Sequence, residues 1–132
     1  MIYLDSSAAV KLVHAEAESQ ALRDWLDARV GAPWVSSVLL EIETYRALAR
    51  HAPVSLSRLS KVLDVIDLVD LDADIRARAR GVGPVSVRSL DAIHLATALQ
   101  IPGLTAFVAY DARLADAAAA AGLQVEAPAS GQ

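Results

Sequence analysis

The chain has 132 residues, which is enough for one domain with its own core and too few for two. With 55% hydrophobic residues, 21% charged residues and no cysteine, it has the composition of a globular protein without a disulfide framework or a thiolate zinc site. The net charge of −4, from 12 basic and 16 acidic residues, argues against a general nucleic-acid binder, which would carry a basic excess.

The first half of the chain alternates short apolar runs with helical patterns. The elements predicted there, in chain order, are a strand at 2–5, helices near 6–13 and 16–29, a strand at 34–36, and a helix capped by Ser36 or Ser37 that ends near Arg50. Ala52 and Pro53 break this last helix.

The second half continues the alternation. The elements predicted there are a helix from Ser55 or Ser57 to about Val65, a strand at 68–71, a helix opened by Asp72, a loop at 81–84, a helix at 90–100 capped by Ser89, a strand at 106–110, a helix at 112–121 closed by Gly122, and an edge strand at 124–126. The alternation predicts an α/β domain whose largely parallel sheet carries helices on both faces. We expect this domain to span 1–127, followed by a disordered tail at 128–132.

No membrane span or export signal is visible in the sequence. No apolar run approaches roughly 18 residues, and the chain starts with a strand pattern where a signal peptide would have a basic segment. The absence of cysteine is compatible with a reducing compartment. We therefore expect a cytoplasmic location and no membrane partner.

Four acidic residues lie where strands end or helices begin, or on an apolar helix: Asp5, Glu43, Asp91 and Asp111. Ligands of open α/β sheets bind in the crevice at the carboxyl ends of the strands. Several carboxylates gathered there would repel one another unless a cation lay among them. Mg²⁺ and Mn²⁺ prefer oxygen ligands and usually keep bound waters. The pattern therefore predicts metal-assisted phosphate chemistry.

Each acid also has a structural interpretation. Asp5 and Asp111 are favoured N-caps of the helices that follow them, and Asp91 falls in a first turn, where the helix dipole favours an anion. Glu43 is a stronger signal, because an unpaired carboxylate on an apolar helix face is costly. Glu41 lies about 200° around the same helix, so the two cannot face one site, and the local pattern does not choose between them.

Weaker candidates lie near these acids in the sequence. His94 follows Asp91 at a spacing that would let both reach one metal, although a His in an Ala- and Leu-rich helix is more often a core residue. Ser6 and Ser7 could hydrogen-bond a ligand carboxylate or cap a helix. The nearby basic residues, which by default are solvated surface charges, are Arg46, Arg50, Arg88 and Arg113.

Several other chemistries lack their motifs. No Walker motif, dinucleotide fingerprint or nucleophile elbow follows a predicted strand. Neither Lys11 nor Lys61 follows a late strand, as a phosphorelay receiver would require, and position 7 is Ser where a haloacid-type phosphatase needs Asp. What remains is a group of acids with metal ions and no protein nucleophile.

The four acids stand in four ordered segments: YLDSSA at 3–8, ETYRAL at 43–48, LDAIHLATA at 90–98 and YDARL at 110–114. Together these segments resemble PIN-domain ribonucleases of the VapC toxin type, over residues 2 to about 125. The family's mid-chain Glu stands three positions before Arg-Ala-Leu, so the resemblance selects Glu43. Two positions depart from the family pattern, with Ser6 where Thr is frequent and Ala109 where Thr or Ser is common.

The resemblance implies a five-stranded parallel sheet of order 3-2-1-4-5 and cleavage of RNA, such as tRNA or rRNA. It implies that Asp5 and Asp91 hold the principal Mg²⁺ or Mn²⁺, that Glu43 contacts it directly or through water, and that Asp111 completes that site or a second one. An acidic enzyme acting on RNA also needs local cations. The candidate substrate contacts are Ser6, Arg46, Arg88 and Arg113.

VapC-type toxins pair with small antitoxins and form homodimers. The resemblance therefore implies a cognate VapB-type antitoxin, a homodimer and a larger toxin–antitoxin assembly. Trp25 and Trp34 are candidate anchors for such a partner, although core packing is the commoner use of Trp. Two alternatives stay open: a PIN nuclease of RNA processing or DNA repair, and a catalytically silent PIN fold that acts as a binding module.

Overall fold

The computed structural model of the chain describes residues 1–130. Its strands are β1 (Ile2–Leu4), β2 (Trp34–Ser37), β3 (Ile66–Val69), β4 (Ala106–Val108) and β5 (Val125–Glu126). They form one sheet of order β3-β2-β1-β4-β5 in which every neighbouring pair is parallel. The predicted α/β architecture and strand order are confirmed.

Helices follow the strands on both faces of the sheet. They are α1 (Ser6–Val13), α2 (Ser19–Asp27), α3 (Leu39–His51), α4 (Leu59–Leu63), α5 (Ala73–Ala79), α6 (Ser89–Leu99) and α7 (Ala112–Ala120). A 3₁₀ helix, Pro53–Arg58, connects α3 to α4. None of these helices has the length and hydrophobicity needed to cross a bilayer.

The central strand β1 separates two cores. Ile2 and Leu4 project to one side, where they pack with apolar residues of α1, α2 and α3. Tyr3 projects to the other side and packs with residues of α6 and α7. Since all three side chains are fully buried, β1 has no face in solvent, as expected for a parallel sheet covered by helices on both sides.

Several predicted boundaries differ from the structure, and the strand predicted at 106–110 ends at Val108. The strand predicted at 68–71 is β3, which begins earlier because Ile66 is buried and pairs with Trp34. The helix predicted from Ser55 or Ser57 to Val65 is the 3₁₀ segment followed by the short α4. The helix predicted from residue 16 begins at Ser19, because the Ser19 hydroxyl accepts from the Glu16 amide and donates to the Lys11 carbonyl, which holds the preceding residues in a turn.

The predicted caps have mixed outcomes. Asp5, Asp72 and Asp111 all accept backbone hydrogen bonds from the helix that follows, as predicted. The prediction for Ser89 is wrong, because Ser89 is already the first helical residue and makes no cap. Of the two alternatives before α3, Ser37 accepts from the Leu39 amide.

Ser36 has a different use from the predicted cap. Its buried hydroxyl donates to the Leu4 carbonyl at 2.7 Å, which joins β2 to β1. Pro128, placed in the predicted tail, is also buried, and its carbonyl accepts from the Tyr110 hydroxyl at 2.7 Å. Residues 131 and 132 of that predicted tail lie outside the described residues.

Replacing Leu95 with Ala should lower the free energy of unfolding by about 3 kcal/mol. Leu95 is a fully buried residue of α6 in the core that also contains Tyr3, so the shorter side chain would leave a cavity. Urea unfolding followed by circular dichroism would measure the change. The matched control is Val30→Ala at a site that is 89% exposed, where a comparable loss would contradict the packing described here.

Candidate active site

An open cleft of about 620 Å³ lies at the carboxyl edge of the sheet. All four predicted acids line it: Asp5 follows β1, Glu43 belongs to α3, Asp91 lies in the first turn of α6, and Asp111 precedes α7. Residues that are up to 106 positions apart in the sequence therefore share one hollow, as the pattern predicted. Glu41 borders a different hollow, beside α4, so of these two residues only Glu43 lines the cleft.

Asp5 is both a helix cap and a cleft residue. Its Oδ2 accepts from the backbone amide of Ser7 at 3.2 Å and from the Ser7 hydroxyl at 2.8 Å. The Ser7 hydroxyl in turn accepts from the Tyr110 amide at 2.9 Å, which ties the end of β1 to the segment after β4. Oδ1 of Asp5 lies 3.7 Å from Nε2 of His94. The helix cap uses only Oδ2, so Asp5 can cap α1 and still have Oδ1 free of that cap.

Asp111 is held in a similar way. Its Oδ1 accepts from the backbone amides of Arg113 and Leu114, at 2.9 and 3.1 Å. These bonds orient the carboxylate at the start of α7, where the helix dipole also favours a negative charge. Asp5 and Asp111 are therefore both held by hydrogen bonds from backbone amides.

The pKa of Asp91 is affected by the other acids of the cleft. Partial burial, followed by the negative charges of Asp5 and Asp111, raises the pKa of the Asp91 carboxyl. A raised carboxyl pKa means that the charged form is disfavoured where it stands. A cation in the cleft would reverse this, because it would be attracted to all of these groups.

Glu43 meets a buried histidine. Nε2 of His94 lies 2.6 Å from Oε1 of Glu43, and Nδ1 of His94 lies 2.6 Å from the Tyr3 hydroxyl. Burial alone would lower the pKa of His94, but the hydrogen bond with Glu43 and the charge of Asp5 outweigh it, so the pKa is raised. His94 was predicted as a core residue or a metal ligand, and the structure places it fully buried between two of the acids.

The donor set suits a hard divalent cation. Within residues 1–130, no three His, Asp or Glu side chains stand close enough to hold one ion together. Four carboxylates nevertheless face one open hollow with room for water. Carboxylates with several waters are the usual environment of Mg²⁺ in proteins, whereas a closed all-protein cage is not required. The residues present therefore fit Mg²⁺ or Mn²⁺.

The candidate substrate contacts fall into two groups. Ser6 and Arg88 line the cleft, and a neighbouring hollow of about 530 Å³ is lined by Arg88, Asp91 and Arg113. Arg46 instead borders the hollow beside α4, together with Glu41. The structure thus brings Arg88 and Arg113 beside the acids and leaves Arg46 apart from them.

Lys11 also lines the cleft, which the sequence analysis did not anticipate. Its Nζ pairs with Glu18 at 3.1 Å and with Glu16 at 3.4 Å, and it lies 4.7 Å above the Tyr110 ring. The signal was available in the helix period, because Lys11 follows Ser7 by four positions and so shares its helix face.

Three comparisons with known proteins bear on this site. The model of the PIN domain family matches residues 2–120. Ribonuclease VapC35 of Mycobacterium tuberculosis is 47% identical over 131 residues, covering 97% of both chains. Ribonuclease VapC46 of the same species is 43% identical and covers 96% of this chain and 97% of its own length.

Two solved structures share the fold at low sequence identity. One is VapC20 of Mycobacterium tuberculosis, described as a toxin that cleaves the sarcin–ricin loop, with 18% identity, a TM-score of 0.70 and coverage of 93% of this chain and 96% of that one. The other is VapBC2 of Rickettsia felis bound to a promoter DNA fragment, with 14% identity, a TM-score of 0.72 and coverage of 97% and 99%.

Proposed function

The chain belongs to the PIN domain family and, within it, to the VapC ribonucleases, and from this premise we propose that it is a metal-dependent endoribonuclease that acts as the toxin of a VapBC-type toxin–antitoxin module. The observation that carries the proposal is the meeting of four carboxylates in one cleft. The reaction is hydrolysis of an RNA phosphodiester bond, with tRNA or rRNA as the substrate class.

Each acid has a part in this proposal. Asp5 and Asp91 would hold the principal Mg²⁺ or Mn²⁺, Glu43 would support it directly or through water, and Asp111 would complete the site or help to hold a second ion. A bound ion would lower the pKa of a water and neutralise charge on the scissile phosphate. Ser7 supports Asp5 through its amide and hydroxyl, so this carboxylate needs little reorganisation when an ion arrives.

Recognition of RNA is proposed to use the hollow beside the cleft. Arg88 lines both hollows, and Arg113 lines the second one. Both side chains are exposed, and guanidinium groups suit phosphate oxygens. Phosphates on one side of the scissile bond would therefore lie along α7 while the scissile phosphate faces the acids.

Replacing Arg88 or Arg113 with Ala should raise KM for RNA about tenfold, the equivalent of one lost charged hydrogen bond, and leave kcat nearly unchanged. Steady-state kinetics on an end-labelled RNA would measure both constants. The matched control is Arg46→Ala, because Arg46 lies outside both hollows, and KM should change there by less than about twofold. A tenfold rise for Arg46→Ala would return this residue to the substrate contacts.

The proposed partners are a VapB-type antitoxin and a second copy of the chain, and the proposed location is the cytoplasm. The Rickettsia felis neighbour is a VapBC pair, which supports the antitoxin. Exposed apolar side chains are present on α3, where Ile42 and Tyr45 are each 56% exposed. Trp25 and Trp34 pack against the core, so core packing accounts for much of their surface. Light scattering of the protein with and without its antitoxin would give both assembly states.

The proposed function is tested by induced expression followed by sequencing of cellular RNA ends. We expect new ends at a small number of sites in tRNA or rRNA, absent when Asp91→Ala protein is expressed at the same level. Unchanged RNA together with undetectable Mn²⁺ binding would overturn the proposal in favour of a silent binding module. New ends confined to precursor RNAs would identify a processing nuclease.

A further inference from the structure

A buried polar chain connects the centre of the sheet to the cleft. It runs from the Tyr3 hydroxyl to Nδ1 of His94, and from Nε2 of His94 to Oε1 of Glu43, with both distances equal to 2.6 Å. Tyr3 and His94 are fully buried, and they come from β1 and α6, whereas Glu43 comes from α3. Three elements that are distant in sequence therefore meet through these side chains.

The chemistry of the carboxylate fixes the direction of one hydrogen bond. An ionised carboxylate can only accept, so the proton between His94 and Glu43 belongs to Nε2. The Tyr3 hydroxyl can donate or accept, so it can hydrogen-bond Nδ1 whether or not that nitrogen carries a proton. The Tyr3 ring itself stacks on Phe107 at 5.0 Å between centroids and meets the His94 ring edge-on at 5.8 Å. The imidazole is thus held with its Nε2 facing Glu43.

Glu43 lacks the backbone donors that hold Asp5 and Asp111. Asp5 and Asp111 take backbone hydrogen bonds at helix starts, whereas Glu43 lies within α3, where the backbone amides are engaged in the helix. A glutamate side chain also loses considerable rotamer freedom when it is ordered. A rigid donor from α6 would reduce this loss at the moment when an ion binds.

We infer that His94 is a positioning residue for Glu43, and that Tyr3 fixes the imidazole from the core side. This inference rests on the proposed function, because it gives His94 a purpose in ion binding. Carboxylates that hold metal ions are generally hydrogen-bonded by such neighbours, and loss of the neighbour lowers metal affinity by about 10- to 100-fold.

The test is the Mn²⁺ dissociation constant, measured by calorimetry on folded protein. His94→Leu should weaken Mn²⁺ binding about tenfold. His94→Gln should recover most of it, because the amide nitrogen of Gln can replace Nε2 as a donor to Glu43. Tyr3→Phe keeps the stack on Phe107 and should give an intermediate loss. Thr97→Val, another buried polar change in α6, should leave the constant unchanged.

A double-mutant cycle separates positioning from general damage to the fold. If His94 acts through Glu43, then His94→Leu should have no further effect on Mn²⁺ binding in a Glu43→Ala background. Equal losses in both backgrounds, or no rescue by Gln, would overturn the inference. Tighter Mn²⁺ binding by His94→Leu would also overturn it, because the hydrogen bond would then be withholding Glu43 from the ion.

Asp91→Asn distinguishes this inference from the proposed function. If Asp91→Asn leaves Mn²⁺ binding intact, the metal-dependent function itself fails. If Asp91→Asn abolishes binding while the effects of His94 and Glu43 are independent, only the positioning role fails.

Discussion

RNA cleavage is expected to fall about a thousandfold when Asp91 or Asp5 is replaced by Asn, equivalent to about 4 kcal/mol of lost transition-state stabilisation. Both carboxylates face the cleft that is proposed to hold the ion, and the amide removes a negative charge while nearly preserving shape. Single-turnover cleavage of an end-labelled RNA at saturating Mg²⁺ would measure the loss.

The fold should survive these changes for two separate reasons. At Asp5, Asn is itself a good N-cap and can still accept from the Ser7 amide. At Asp91, the raised pKa shows that the charged form is disfavoured in the folded state, so a neutral side chain should leave stability unchanged or higher. Urea unfolding of the Asp91→Asn protein would measure this stability.

The matched control is Asp74→Asn, an exposed acid in the first turn of α5 that lies outside the cleft. It should cut RNA at the original rate. Cleavage by Asp91→Asn at that same rate would remove Asp91 from the active site, and equal losses in all three variants would point to a general charge effect.

Chelation of divalent ions is expected to stop cleavage completely, and added Mg²⁺ or Mn²⁺ to restore it. The same ions should stabilise the fold, because only the folded chain gathers the four carboxylates. At an ion concentration of about 100 times the dissociation constant, the gain would be about 2.7 kcal/mol. Thermal unfolding with and without Mn²⁺ would detect the shift.

The effect of ionic strength on thermal stability must be separated from the effect of ion binding. KCl at matched ionic strength screens the acids without coordinating them, and should give a much smaller shift. Asp91→Asn should lose most of the Mn²⁺-dependent shift. Full cleavage in excess chelator would show that the metal-dependent mechanism is wrong, even if RNA remained the substrate.

Local sequence predicted the fold well where the signal was continuous. The alternation of apolar runs and helical patterns predicted the parallel sheet, since β1 is buried on both faces and carries no charged side chain. It failed at the bounds of β3, because Asp67 and Asp70 interrupt the apolar residues at 65–71 and leave more than one possible register. Pairing of Ile66 with Trp34 decides that register, and this contact is tertiary.

The sequence identified the four acids as candidates but did not predict the contacts among them. Helix period showed that Glu43 and Glu41 cannot face one site, and the family resemblance selected Glu43; the structure places only Glu43 at the cleft. The bond between His94 and Glu43 joins positions 51 apart, and it depends on how α6 and α3 pack around the sheet. Lys11 does not follow a strand, so a comparison of strand ends does not identify it. Its position on the same face of α1 as Ser7 is what places it at the cleft.

The position of Ser7 has a consequence for how such a protein can be controlled. Its hydroxyl donates to Asp5 and accepts from the Tyr110 amide, so this one side chain couples the position of a proposed metal ligand to the backbone between β4 and α7. A displacement of that backbone would therefore move the Asp5 carboxylate relative to the other acids, without any contact inside the cleft itself.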